Sequence, residues 1–185
     1  MPLGEQDQLA AWQVAPLTDL IRHLVGTRHQ ECRDDMGRLE TLLALLAMEP
    51  GHFHLLLVEI RDMLSAFCRE LRAHLAREEQ DLFPVILAAE QGMPLGIGKE
   101  DVELLRSLLE EEHGHEVGLL DDINVFTAAV TTDLPADSPL VRLRASLAGL
   151  SVRFQEHIKL ENQVLFPRMG QKDPATDDPR RGRVG

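Results

Sequence analysis

The chain of 185 residues contains no tyrosine, and aromatic residues make up only 4% of it. The absence of tyrosine excludes chemistry that depends on a tyrosyl radical. There are only two cysteines, Cys32 and Cys68, and they form neither a Cys-x-x-Cys motif nor a disulfide framework. Two isolated cysteines are typical of a reducing compartment, so we expect a cytoplasmic protein.

Long apolar runs and basic stripes are missing as well. No stretch approaches the 18 apolar residues of a membrane-spanning helix, and residues 1–12 lack the basic and apolar regions of a signal peptide. The formal net charge is −12, and the only basic cluster lies at 180–183. Such a surface field repels nucleic acid and anionic membranes, so we expect neither as a partner.

Four amphipathic segments account for most of the chain. In each of them apolar residues recur at alternating spacings of three and four, the pattern of a helix with one buried face. Turn-rich breaks separate the segments, and the predicted helices cover 16–48, 52–90, 99–132 and 139–169. Within them, Gly26 is a weak point, and Pro84 and Pro167 should each kink or stop a helix.

These segments predict an all-α protein, an antiparallel up-down four-helix bundle. The bundle should span residues 16–169, after an N-terminal extension at 1–15. The segment 170–185 has no apolar periodicity, and we expect it to be a disordered tail.

One motif occurs twice in the chain. The pattern His-x-x-x-Glu-x-Gln-x-Leu-Phe-Pro begins at His74 and returns 83 residues later at His157. A histidine and a carboxylate four residues apart lie on one face of a helix. His29 precedes His74 by 45 residues and His113 precedes His157 by 44, with a turn near each midpoint. The chain therefore reads as two copies of one hairpin related by a pseudo-two-fold axis.

The repeat places polar side chains on stripes that are otherwise apolar. Buried polar groups are costly unless something compensates them. Mixed imidazole and carboxylate donors with open positions suit iron first, then manganese or zinc. We therefore predict two metal ions bridged by the two carboxylates, with a structural polar network as the alternative. The predicted ligands are His29, His74, Glu78, His113, His157 and Glu161.

Three neighbouring residues are secondary candidates. Glu70 and Glu112 either orient imidazoles, line a polar access route or lie on a solvated face. Cys32 is interpreted as a core thiol, with redox or nitrosyl chemistry as the alternative. The remaining histidines are interpreted as lying away from the site, with His115 as a substitute ligand if the register slips. They are His23, His52, His54 and His115.

At this point the sequence resembles hemerythrin-like (HHE) domains, and among them the bacterial di-iron iron–sulfur cluster repair proteins. The resemblance covers about residues 12–169 and rests on the two His-x-x-x-Glu motifs with their Leu-Phe-Pro ends. It implies a carboxylate-bridged di-iron centre with an oxo or hydroxo bridge. The implied activity is a response to nitric oxide or peroxide damage, by iron donation, cluster repair or handling of nitric oxide.

The sequence departs from the family pattern in three places. Repair proteins commonly carry an N-terminal domain with an adjacent cysteine pair, which the residues before the first helix lack, so the repair role stays open. Val117 stands where oxygen-carrying hemerythrins have a fifth histidine. Arg28 stands where the family often has an aromatic residue, which predicts a more polar inner pocket.

Our leading hypothesis is a non-haem di-iron protein that binds or reduces nitric oxide, peroxide or oxygen in stress response or cluster repair. Its partners would be the small ligand and a redox partner or apo-cluster protein. The alternative is a non-enzymatic module for sensing, carrying or storing oxygen, nitric oxide or iron, so enzymatic activity stays open. A third hypothesis is a metal-free helical scaffold.

Overall fold

The structure of the protein, a computed structural model, describes residues 5–48, 54–94, 98–131 and 134–169. Within these residues every regular element is helical, which confirms the predicted all-α class. None of the described helices is long and apolar enough to cross a membrane. The predicted tail at 170–185 and His52 lie outside the described residues, as does the side chain of His54.

A short helix, α1 (Glu5–Val14), precedes four helical rods. The first rod consists of α2 (Leu17–His23), a π-helical segment (Leu24–His29) and α3 (Gln30–Ala47). The second consists of α4 (His54–Arg77), a π-helical segment (Glu78–Leu82) and α5 (Phe83–Glu90). The third is α6 (Lys99–Val130). The fourth consists of α7 (Pro139–Leu160), a π-helical segment (Glu161–Leu165) and α8 (Phe166–Arg168).

The rods pack as a four-helix bundle. α3 packs against α4 and α7, and α6 packs against the same two helices, so each rod has two neighbours. Two clusters of buried apolar residues fill the interior. One includes Phe67 and Phe154, and the other includes Leu20, Phe83 and Phe166. Burying a side chain of this size contributes about 1.5–3 kcal/mol, so the two clusters are the main source of stability.

The three π-helical segments were not predicted from the sequence. Each adjoins a predicted metal ligand, since one ends at His29 and the others begin at Glu78 and Glu161. A π turn inserts one residue into a helix, and such turns are frequent at functional sites. Pro84 lies in the first turn after the second of them, where a proline needs no helical partner for its missing N–H. Of the two outcomes expected for Pro84, a kink or a stop, the stop is therefore wrong for the second rod.

The end of the bundle nearest the N-terminus is tied by long-range contacts. The carboxylate of Glu90 accepts hydrogen bonds from the backbone N–H groups of Leu17 and Thr18, at 2.7 and 2.9 Å. Pro16 makes no side-chain cap for α2, so Glu90 supplies it from the second rod. Trp12 of α1 stacks on His23, with ring centroids 4.8 Å apart, and α1 thereby covers this end.

Candidate metal centre

Six polar side chains lie between the two apolar clusters, and we call them the His/Glu cluster. Each has at most 2% of its surface exposed. In five of them, one potential ligand atom per residue lies within 4.8 Å of all the others, and His29 Nε2 lies 3.3 Å from Glu78 Oε2. The structure thus brings all six residues of the sequence prediction together. They are His29, His74, Glu78, His113, His157 and Glu161.

The four imidazoles form two pairs, each drawn from both hairpins. The rings of His29 and His157 have centroids 5.0 Å apart, and those of His74 and His113 are 4.7 Å apart. Glu78 lies between the pairs. Its Oε2 is 3.3 Å from His29 Nε2, while its Oε1 is 3.2 Å from His74 Nε2.

The second carboxylate also reaches both pairs. Glu161 Oε2 lies 3.0 Å from His157 Nε2 and 3.1 Å from His113 Nε2. Its Oε1 lies 3.9 Å from His29 Nε2. Each carboxylate therefore approaches imidazoles of both pairs.

Most inward-facing atoms of the cluster lack a hydrogen bond. Both oxygens of Glu78 and Glu161, and Nε2 of His29 and His157, are buried and approach one another without forming one. Leaving charged groups buried without hydrogen bonds costs several kcal/mol each. A bound cation would satisfy these atoms, and mixed nitrogen and oxygen donors suit iron, manganese or zinc. The residues present therefore fit metal binding.

The electrostatics of the cluster favour protonated imidazoles next to ionised carboxylates. Burial alone lowers the pKa of His29 and His113, but Glu161 and Glu78 outweigh it and raise each to about 10. Burial and Glu78 raise the pKa of Glu161, yet His157 and His113 outweigh them and hold it below its usual range. Protonated imidazoles thus balance the buried carboxylates, and a bound cation would displace their protons.

Three of the four imidazoles have a partner for the outer nitrogen. His29 Nδ1 donates to Glu79 Oε1 at 2.6 Å, and His74 Nδ1 donates to Glu112 Oε2 at 3.1 Å. His113 Nδ1 donates to Asn162 Oδ1 at 3.2 Å. Within the described residues, His157 Nδ1 has none. In metal sites such outer partners fix the ring orientation and the tautomer.

The secondary candidates have separate surroundings. Glu112 contacts His74 rather than its neighbour His113, and it also pairs with Arg77. Glu70 contacts His115 at 3.1 Å, and the two line an open cavity of about 290 Å³ with Arg77, Glu112 and Glu116. His115 is 64% exposed, so it lies outside the cluster.

Cys32 and Arg28 lie beside the cluster with roles of their own. Cys32 is fully buried in the apolar cluster that includes Phe67, where burial, with Asp35 and Glu161, raises its thiol pKa to about 12. That environment is typical of a core thiol. The guanidinium of Arg28 binds Glu31 and Glu156, at 3.1 and 2.9 Å, and in the described residues it makes no ion pair with the cluster.

The sequence analysis missed three polar neighbours. Glu79 and Asn162 directly follow Glu78 and Glu161, and the polar character of that position in both copies of the repeat was an available signal. Glu116 lies 3.8 Å from His74 Nδ1 and is 2% exposed. Burial raises its pKa to about 7, despite the opposing effect of His74 and His113. Glu116 lies one helical turn after His113, and this spacing could have indicated a side chain near the cluster.

Comparison with known proteins shows to which family the chain belongs. The sequence model of the hemerythrin HHE cation binding domain matches residues 20–169. The iron-sulfur cluster repair protein YtfE of Salmonella paratyphi B is 33% identical over 168 residues, which cover 90% of this chain and 72% of that relative. The protein of that name from Salmonella newport has the same identity and coverage. The chain therefore belongs to the hemerythrin HHE cation-binding domain family.

Proposed function

We propose that the protein is a non-haem di-iron protein that binds or reduces nitric oxide, peroxide or oxygen during nitrosative or oxidative stress. The observation that carries this proposal is the set of buried carboxylate oxygens and imidazole nitrogens without hydrogen bonds in the His/Glu cluster. Relatives named as iron-sulfur cluster repair proteins support repair of damaged clusters as the physiological setting.

In this proposal each iron ion would be held by one imidazole pair, and Glu78 and Glu161 would bind both ions. The placement of the Glu78 oxygens supports bridging, because each faces a different pair. Two imidazoles and two carboxylate oxygens per ion leave coordination positions open for an oxo or hydroxo bridge and for the small ligand. Bound there, two ferrous ions would supply up to two electrons to that ligand.

The surroundings of the cluster favour a small uncharged ligand. Phe83 packs on His29, Phe166 stacks on His113 and Phe154 stacks on His157, with ring centroids 5.6, 6.1 and 5.8 Å apart. These aromatic rings exclude water and lower the local dielectric constant. A diatomic gas enters such surroundings more readily than a charged substrate, which loses its hydration.

A non-enzymatic module that carries or donates iron is the second candidate. The cavity lined by Glu70, Glu112 and Glu116 favours it, because carboxylates attract cations and Glu112 borders His74. Anaerobic addition of nitric oxide and excess reductant separates the two candidates. Many turnovers per chain indicate an enzyme, and uptake of a fixed number of molecules per chain indicates a binding module.

Metal analysis by mass spectrometry, combined with the visible absorption spectrum, tests the proposal on protein purified without added metal. We expect two irons per chain and oxo-to-iron charge-transfer bands, both lost in Glu78→Ala and Glu161→Ala. His115→Ala is the matched control, since it removes an exposed imidazole two residues from His113, and it should keep both irons.

Two results would contradict the proposal. One is a protein without metal, or with a single zinc and a featureless spectrum. The other is a His74→Leu or Glu78→Leu variant that is more stable than the original and loses no bound metal. Either result would favour the metal-free scaffold, because replacing a purely structural buried ionic group with an apolar one is often stabilising.

A further inference from the structure

The two hairpins orient one imidazole each by the same geometry. In the first hairpin, Glu79 follows Glu78 and accepts from Nδ1 of His29. In the second, Asn162 follows Glu161 and accepts from Nδ1 of His113. Glu79 and Asn162 therefore occupy equivalent positions of the repeat, on the outer side of the His/Glu cluster.

The two contacts differ in chemistry. The carboxylate of Glu79 lies 2.6 Å from His29 Nδ1, whereas the amide oxygen of Asn162 lies 3.2 Å from His113 Nδ1. A hydrogen bond to a charged acceptor is shorter and about twice as strong as one to a neutral acceptor. Arg33 also donates to Glu79 at 2.7 Å, which holds the carboxylate in place.

The hydrogen bonds at Nδ1 of the other two histidines, His74 and His157, differ more strongly. Glu112 precedes His113 and accepts from His74 Nδ1 at 3.1 Å. The equivalent position before His29 is Arg28, which carries no acceptor and instead binds Glu31 and Glu156. His157, the equivalent of His74, has no hydrogen-bond partner at Nδ1 among the described residues.

The two imidazole pairs are therefore held unequally. Both rings of the His74 and His113 pair have an acceptor behind them, from Glu112 and Asn162. In the pair of His29 and His157, only His29 has one among the described residues, and that acceptor is Glu79. We propose that Glu79 is a positioning residue on which retention of the metal ion at the His29 and His157 pair depends.

This inference rests on the proposed two-metal site, and it makes the two ions unequal. Removing Glu79 leaves one metal position without any imidazole whose Nδ1 has an acceptor among the described residues. Removing either acceptor at the other position leaves one ring still oriented. Loss of an outer acceptor of this kind typically weakens metal affinity by ~10–100-fold. The effect of the Glu79 change should therefore fall on one ion only.

Release of zinc to a colorimetric chelator tests the inference without relying on activity. The full chain is loaded with zinc alone, its content is measured by mass spectrometry, and release is followed over time. In Glu79→Ala, which leaves no acceptor for His29 Nδ1, we expect one zinc per chain to leave ~10–100 times faster than in the original protein, with the second ion unchanged. Glu112→Ala should accelerate release less, because Asn162 still orients His113.

Glu40→Ala is the matched control, since Glu40 is an exposed carboxylate bound to Arg72 and its loss should not alter release. Helix content and thermal unfolding of the metal-free proteins show whether Glu79→Ala is folded. Unchanged release in a folded Glu79→Ala, or equal acceleration of both ions, overturns the inference while the proposed function stands. A general loss of structure would accelerate both ions. Failure of the original protein to bind two zinc ions overturns the inference together with the two-metal site.

Discussion

Asp35 and Arg153 form an ion pair that joins the first and fourth rods. Arg153 Nε and Nη2 donate to the two carboxylate oxygens of Asp35 at 2.5 and 2.7 Å. The Asp35 side chain is 2% exposed, and Arg38 is its second cationic partner. Arg153 lies one turn before His157, so the pair ties together the two rods that carry His29 and His157.

Replacing Asp35 with asparagine should destabilise the protein by about 2 kcal/mol. The change removes the charge that two arginines share, and it keeps the shape of the side chain. Breaking a fully buried pair costs about 3–5 kcal/mol, but Arg153 is 34% exposed and water will compensate part of the loss. Urea unfolding measures the difference. Asp62→Asn is the control on an exposed pair and should change stability by less than about 0.5 kcal/mol; equal effects would contradict the prediction.

Replacing Gly149, which lies beside Arg153, with alanine should change stability differently from replacing Gly118, which has open space around it. A Cβ at Gly149 would lie 3.0 Å from Arg153 Nη2, whereas one at Gly118 would meet nothing within 4 Å. Alanine in a helix interior is favoured over glycine by about 1 kcal/mol. Gly118→Ala should therefore stabilise the protein by roughly that amount, and Gly149→Ala should gain less because Arg153 must move from Asp35. Thermal unfolding compares the two, and equal gains would show that Arg153 adjusts freely.

Neither native thiol should react readily in the folded protein. Burial raises the pKa of Cys68 to about 11 and that of Cys32 to about 12, and only a thiolate is strongly nucleophilic. Iodoacetamide at pH 8 should modify both cysteines in urea but neither in the native state, as counted by mass spectrometry. Ser65→Cys adds an exposed thiol that should react at once. Rapid native labelling of Cys68 would contradict its burial.

The same pKa shifts predict a loss of stability at alkaline pH. In the unfolded chain a cysteine ionises near pH ~8.5, whereas in the fold the thiols stay protonated until about 11 to 12. The contribution of the two neutral thiols to the free energy of unfolding is therefore fully present below the pKa of the unfolded state. It is lost as the pH rises from that value through the pKa of the folded state. Cys68→Ala should show a weaker loss between pH 8 and 10 than the original protein in urea titrations.

The stacked pair of Trp12 and His23 should be sensitive to acid. Burial, with a contribution from Arg28, lowers the pKa of His23 below 6.5. The unfolded chain therefore binds this proton before the folded one does. The stability gained from neutral His23 is present above pH 6.5 and is lost as the pH falls through the folded pKa. Trp12, the only tryptophan, reports unfolding by fluorescence. Relative to His23→Gln, the original protein should lose stability between pH 7 and 5; parallel curves would contradict this.

Much of the fold could be predicted because its signals are local. Apolar spacing and turn residues predicted a first helix at 16–48, and the structure has a rod from Leu17 to Ala47. Counting along the two hairpins predicted that six polar residues share one level, since the rise per residue of a helix is constant. The structure places His29 and His157 beside each other at that level, together with the other four.

Periodicity could not predict features that depend on how each helix is rotated against its neighbours. The π turns at His29, Glu78 and Glu161 shift the phase of the three rods that contain them by one residue, and no local pattern predicts them. That phase decides which imidazoles pair across the hairpins. Packing also places Glu79, rather than the secondary candidate Glu70, against an imidazole of the His/Glu cluster.

The sequence by itself determined the bundle, the level of the His/Glu cluster and the chemistry of its donors. Spacing within a helix and between turns is enough to establish these features. Only the tertiary structure decided that, in the part of the chain it describes, one imidazole pair has two outer acceptors while the other has Glu79 alone. A hydrogen bond between side chains on different helices depends on distances of a few tenths of an ångström, and these are set by packing rather than by position in the chain.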